Sequence, residues 1–334
     1  MTDPQTIVEK GRELAPGIFV SIVTGLAALF LSQHYGAPAM LFALLLGIAM
    51  SFLYQDTKCQ SGIEFTACHI LRIGVALLGL RIAFSDVVSL GWQTALLLVF
   101  AIASTILFGI ALSRALGFST RFGALTGGAV AICGASAAMA ISAVLPKNQN
   151  TETNTLLTVI GVTSLSTVAM VAYPIIASYL GLSEYETSIF LGGTIHDVAQ
   201  VVGAGFSVSE QAGDLSTLTK LVRVAFLMPV VLCFLLVLKA NKFIGSEDGK
   251  APGLPTFLIA FIVLMCINSL VSLPQVITTT ATEISRFALV VAITAIGMKS
   301  NLGQLTRVGL RPIFLMVAET LWIAMVILTF LLLV

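Results

Sequence analysis

Apolar residues run through this chain in long blocks, and the polar residues are confined to short gaps between them. Reading for windows of roughly 17–25 apolar residues, the length that crosses a hydrocarbon core as a helix, places spans near 17–34, 38–54, 67–84, 93–114, 122–145, 155–180, 187–206, 220–239, 255–272, 286–300 and 312–333. The eleven windows predict an all-α, polytopic membrane protein with about 11 transmembrane helices. Windows 122–145 and 187–206 are interrupted by glycine, which marks them as segments where a transporter helix breaks. Pro174 and Pro229 predict kinks in the sixth and eighth windows. The longest polar connections, 207–219 and 240–254, are too short to be independent domains, so residues 1–334 read as one integral membrane domain.

Composition narrows the class without changing it. At 57% hydrophobic and 10% charged residues, with a mean hydropathy of +1.03, the chain cannot present a soluble surface. Its net charge is +1 and its basic residues are scattered, so no nucleic-acid partner is implied. Their distribution still sets an orientation. With the N-terminus inside, eleven of the 17 Lys and Arg residues face the cytoplasm. Five lie outside (Arg81, Lys147, Lys220, Arg223 and Arg286) and Arg72 falls within a span. That excess predicts a cytoplasmic N-terminus and an outer C-terminus. Residues 1–15 lack the order of a cleaved signal, so the first span is expected to remain. The five cysteines show no C-x-x-C pair and are expected to be reduced and structural. No G-x-S-x-G, H-E-x-x-H or Walker pattern occurs, so neither an enzyme nor a cofactor or metal site is implied.

Against this background the run Gly192-Gly193-Thr194-Ile195-His196-Asp197-Val198-Ala199-Gln200 stands out. A carboxylate at the bilayer centre costs about 2.5–3.5 kcal/mol on insertion scales, so a chain that keeps Asp197 there uses it. Structural locking by hydrogen bonds is the competing account. On a continuous helix Gln200 shares a face with both His196 and Asp197. An imidazole beside a buried carboxylate is a proton-carrying pair, and a sodium site at Asp197 fits equally well. A second stretch, Thr126 to Ala138, has almost no bulky side chain in its middle. Its small residues suit close helix packing. They also allow unwinding at Cys133-Gly134-Ala135-Ser136, which would free backbone groups to hold an ion. Arg72 and Arg81 are candidate anion contacts, with snorkelling or an Arg81–Asp86 pair as the plainer accounts. Glu319 sits within the last span and requires a polar partner. Thr163, Ser164, Ser166, Thr167, Asn268 and Thr294 read as hydroxyl or amide groups bonded back to helix carbonyls.

Repetition is faint. Gly79-Leu80-Arg81 with Gly91 matches Gly297-Met298-Lys299 with Gly309 at one spacing, in spans that cross oppositely, as an inverted repeat requires. Gly127-Gly128-Ala129-Val130 also resembles Gly192-Gly193-Thr194-Ile195, but in spans that run the same way.

Three stretches together resemble a known family. Ala131 to Ala137, then Gly192 to Gly205, then Ala-Ile-Gly-Met-Lys-Ser-Asn-Leu from Ala295 to Leu302 resemble the bacterial YeiH-type inner-membrane proteins, commonly labelled sulfate exporters. The likeness spans essentially the whole chain, and His-Asp-Val-Ala-Gln is its most specific part. That family is grouped with the cation/proton antiporter and anion transporter superfamily. The resemblance implies inverted repeats, discontinuous crossing helices, and an elevator-type core moving against a dimerising scaffold. The broken helices would be the fifth and tenth, or the fifth and seventh. It also implies a secondary transporter exporting a small anion, sulfate or sulfonate-like, coupled to protons or sodium. Cys133, Gly134, Ala135, Ser136, Thr194, His196, Asp197, Gln200, Arg72 and Arg81 are then the candidate substrate or ion contacts, with His196 and Asp197 carrying the coupling charge. A monovalent cation/proton antiporter, a channel and a structural membrane protein are the other readings.

Overall fold

The computed structural model describes residues 4–36, 38–146, 150–240, 255–271, 273–300 and 309–333. Among them every regular element is a helix. In chain order these are α1 (Pro4–Tyr35), α2 (Ala39–Ala49), α3 (Thr57–Phe65), α4 (Leu71–Leu78), α5 (Phe84–Ser89) and α6 (Gly91–Ala115). There follow α7 (Thr120–Ala131), α8 (Ala135–Val144), α9 (Thr151–Tyr179), α10 (Glu184–Thr194), α11 (Val198–Val208) and α12 (Glu210–Ala225). The chain ends with α13 (Leu227–Ala240), α14 (Thr256–Leu270), α15 (Gln275–Lys299) and α16 (Leu310–Leu333). Short 3-10 and π turns at Ser51–Gln55 and Thr66–Ile70 flank α3.

Seven stretches of described helix are long and apolar enough to cross a bilayer, and four shorter apolar helices accompany them. Large apolar side chains such as Phe19, Trp92, Phe100, Leu107, Ile175 and Leu332 lie exposed along them. Lipid is the solvent such a surface requires, because water would penalise each of these side chains. The protein is an all-α, multi-pass membrane protein.

The chain sorts into two compact units. The first comprises residues 1–87, 202–214 and 255–301. Here α15 packs on α2, α4 and α1, and α1 packs on α3. Backbones meet at glycine. A β-carbon on Gly17 would lie 2.2 Å from Cys59 O, and one on Gly297 would lie 2.6 Å from Leu44 O. No side chain fits at either crossing, which is how small residues let apolar helices gain dispersion contacts where lipid removes the hydrophobic drive. Gly79, the counterpart of Gly297 in the repeated triplet, makes the same kind of approach to Phe261 O of α14. Gly91 and Gly309, the other matched pair, both have positive φ (71° and 87°) and stand at the starts of α6 and α16. The rest of the late motif, Asn301 and Leu302, lies outside the described residues.

The second unit comprises residues 88–201, 215–254 and 302–334. In it α6 packs on α7 and α16, while α10 packs on α9 and α16. Two sequence expectations change. Residues 207–219 are not a loop, because α12 begins at Glu210. Its polar opening residues read as a connection only until tertiary partners are supplied. The tenth window lies on α15, which is continuous. Pro174 sits inside a continuous α9, whereas Pro229 follows an interruption at Phe226, between α12 and α13. The connection 240–254 and the basic residues Lys147, Lys242, Lys250 and Arg307 lie outside the described residues, apart from Ala240 at the end of α13.

Candidate functional site

Two helices of the second unit are interrupted, in the two windows whose glycines suggested it. The α7/α8 helix stops at Ala131 and resumes at Ala135. Ile132 takes φ −119° and ψ −82°, and Gly134 takes φ 63° and ψ −123°, a conformation that only glycine adopts without strain. The α10/α11 helix stops at Thr194 and resumes at Val198, with Ile195 extended. The likeness between Gly127–Val130 and Gly192–Ile195 therefore marks the segments that lead into the two breaks. The breaks touch each other, since a β-carbon on Gly134 would sit 3.6 Å from His196 Cβ.

An interrupted helix leaves its last carbonyls without partners, a costly arrangement away from water. Here α12 supplies them. Lys220 Nζ donates to Ile132 O and to Ile195 O, at 2.7 Å each. Arg223 donates from Nε to Ala131 O at 2.5 Å, from one terminal nitrogen to Ile195 O at 3.1 Å, and from the other to Val130 O. The two side chains, three residues apart on one helical face, thus tie the C-terminal ends of α7 and α10 together. Both are fully buried. Among the described residues neither forms an ion pair with a carboxylate. Basic groups at helix C-terminal ends also oppose the partial negative charge there.

Sequence reasoning opened the eighth window at Lys220 and counted Lys220 and Arg223 among the outer basic residues; the structure buries both inside the second unit. The available signal was the Lys-x-x-Arg spacing inside Ser216-Thr217-Leu218-Thr219-Lys220-Leu221-Val222-Arg223, a run without proline or glycine that leads straight into an apolar segment.

The polar residues of the second break separate once the helix is interrupted. Their expected common face does not form, because residues 195–197 are not helical. His196 is fully buried and its Nε2 bonds Thr320 Oγ1 of α16 at 2.9 Å. Asp197 is half-buried and caps α11: its Oδ1 accepts from Ala199 N–H at 2.9 Å, and its own N–H donates to Ser166 Oγ at 3.1 Å. Gln200 donates from Nε2 to Thr167 Oγ1 at 3.0 Å. Thr194 bonds back to Phe190 O. Gln200 Oε1 and His196 Nδ1 are buried with no hydrogen-bond partner among the described residues.

At the first break Cys133 is buried, Ala135 is half-buried and Ser136 is exposed, and no side chain caps the start of α8. All five cysteines are free. Glu319, one residue before Thr320, is fully buried, and its Oε1 accepts from Thr126 Oγ1 of α7 at 2.8 Å. Helix α16 therefore touches both interrupted helices through adjacent residues.

Of the remaining candidates, Thr163, Thr167 and Thr294 bond back to helix carbonyls as expected. Asn268 instead reaches Ile82 O. Arg72 is exposed on α4 and belongs to the first unit. Arg81, also of that unit, pairs with Glu210 and Asp214 rather than Asp86. Asp86 Oδ2 accepts from Ala83 N–H and caps α5.

Fold and site together define a multi-pass helical membrane protein with two touching helix breaks tied by buried basic side chains. Residues 16–316 match the family described as Conserved hypothetical protein 698, and the chain belongs to that family. It is 55% identical over 314 residues to a UPF0324 membrane protein of Rhizobium meliloti (strain 1021), covering 94% of this chain and 91% of the relative. A UPF0324 membrane protein of Chlorobaculum tepidum is 52% identical over 317 residues, 94% and 88% of the two chains. The UPF0324 membrane protein TauZ of Paracoccus pantotrophus is 51% identical over 315 residues, 94% and 93%. No solved structure matches the chain.

Proposed function

We propose that this protein is a secondary active transporter that exports a small anion, sulfate or sulfonate-like, in exchange for or together with protons or sodium. The observation that carries this reading is the uncapped start of α8, whose Gly134 turn lies against His196 while Lys220 and Arg223 occupy the carbonyl ends of both breaks. The full charges of Lys220 and Arg223 outweigh the partial negative helix ends and, with the positive end of α8, offset the Asp197 carboxylate, a combination that favours an anion. Backbone N–H groups near Ala135 and Ser136 would meet it, and Gln200, with its free Oε1, would orient a protonated or hydroxyl edge. His196 and Asp197 carry the coupling charge. Arg72 and Arg81 stay outside this reading because they belong to the first unit.

The eleven-crossing arrangement with inverted repeats and an elevator-type dimer belongs to the same proposal. Gly79 and Gly297 make equivalent close approaches, and Gly91 and Gly309 have equivalent positive-φ starts, which supports the repeat. Burial of Lys220 and Arg223 removes two basic residues from the outer count and widens the asymmetry behind a cytoplasmic N-terminus. In this scheme residues 1–334 act as one transporter domain, with the second unit as its core and the first as its scaffold. A cation/proton antiporter is the second reading, favoured by the buried carboxyl of Glu319.

Proteoliposomes test both. Labelled sulfate or methanesulfonate should accumulate under an imposed pH or sodium gradient. Asp197→Asn should abolish the gradient dependence while keeping the fold, since asparagine caps a helix as well as aspartate does. Gradient-driven sodium or potassium flux without any anion flux would replace the anion reading with the antiporter.

A further inference from the structure

A cavity of about 380 Å³ in the first unit is lined by Arg81, Glu210, Arg286, Ser32, Ser209 and Thr282, among others. Its chemistry is concentrated in one arrangement. Glu210 offers Oε2 to Arg81 at 3.1 Å and Oε1 to Arg286 at 3.2 Å, so a single carboxylate bridges two guanidinium groups. Asp214 separately holds Arg81 through Nε, at 2.7 Å. The two acids differ in freedom: the side chain of Glu210 is 53% exposed and that of Asp214 only 17%. Were Glu210 to turn toward solvent, Asp214 would still hold Arg81, and the cavity would present two guanidinium groups against that one acid.

We propose that this cavity is a binding site for a small oxyanion (a sulfate, sulfonate or carboxylate group) and that Glu210 occupies it in the free protein as a tethered competitor. Guanidinium donors select planar or tetrahedral oxyanions because their N–H groups match paired oxygens. The Glu210 carboxyl, one oxygen to each guanidinium, already traces the contacts that such a ligand would make. The site uses none of the residues assigned to the helix breaks. It also needs no gradient, so an equilibrium measurement tests it whatever a transport assay returns.

The experiment is calorimetric titration of purified, detergent-solubilised protein with sodium sulfate, with ionic strength held constant by sodium chloride, which is no oxyanion, so that screening is equal throughout. Glu210→Ala removes the competitor at an exposed position and should tighten sulfate binding by up to about five-fold, the upper range for release of an exposed ion pair. Adding Arg286→Gln to Glu210→Ala should remove that gain in affinity. Arg286→Lys, which keeps the charge without the fork, should give an intermediate affinity and serves where the glutamine variant does not fold. The proposal is overturned if Glu210→Ala binds sulfate no more tightly than the unmodified protein, shows no saturable binding, or keeps its affinity when Arg286 is replaced.

Discussion

Gly134 turns directly against His196, with room for a β-carbon at an ordinary van der Waals distance of 3.6 Å. Space is therefore not what requires glycine there. The requirement is the backbone, at φ 63° and ψ −123°. Gly134→Ala should lower stability by roughly 1–3 kcal/mol through strain alone and should impair anion flux, because the strained turn forms the contact between the breaks. Gly181 also has positive φ (68°) but faces open space. Gly181→Ala should lower the thermal midpoint while leaving flux unchanged. Thermal unfolding and proteoliposome flux on the two variants make the comparison.

Arg223 satisfies three carbonyls and Lys220 two, and they share Ile195 O. Each buried acceptor left alone costs about 1–3 kcal/mol, offset in part by no longer burying a basic group. Arg223→Met should accordingly destabilise more than Lys220→Met. The double variant should lose more than the sum, since Ile195 O keeps one donor in each single variant and is orphaned only when both are replaced. Equal single losses that add in the double variant would show that the two do not act as one clamp.

The buried Glu319 carboxyl is fixed from two sides. A β-carbon on Gly109 would lie 2.4 Å from its Oε1 and 2.8 Å from Gly123 O. Gly109→Ala should cost roughly 1–3 kcal/mol by overpacking. Glu319→Ala in the same chain should recover only part of it, because the Gly123 backbone stays where it is. Unfolding midpoints of the two single variants and the double variant report this.

The start of α10 carries a pH-dependent element outside the apolar core. The Ser183 hydroxyl and N–H hold the Glu186 carboxyl below the usual carboxylate range in a capping box. A carboxyl whose pKa is depressed by folding stabilises above its ordinary value of about 4.3, and the contribution fades as pH falls through the depressed value. Ser183→Ala should therefore cost about 1 kcal/mol near neutrality, a typical cap loss, and less in acid. Midpoints measured at neutral pH and below pH 4 would expose a loss that is the same at both, which is incompatible with the carboxylate contribution.

The sequence by itself determined the class of the protein. Hydrophobic block length is a property of the chain alone, and the bilayer demands it, so helical, multi-pass membrane structure was legible from pattern. The two softened windows were legible as well, because Gly134 and the Gly192-Gly193 pair are local departures from helix-forming composition. What only the tertiary structure decided is which polar residues do what. His196, Asp197 and Gln200 look like one cluster along the chain, yet the break sends His196 to Thr320 on α16, leaves Asp197 as a cap and turns Gln200 to Thr167. Lys220 and Arg223 look like basic residues at the outer end of a span, yet they are fully buried against carbonyls about 90 positions earlier, at 88 and 92 residues' separation. A hydrogen bond to a backbone carbonyl leaves no mark on the partner's residue type. No pattern in the sequence could therefore name Val130, Ala131, Ile132 and Ile195 as the groups those basic side chains satisfy.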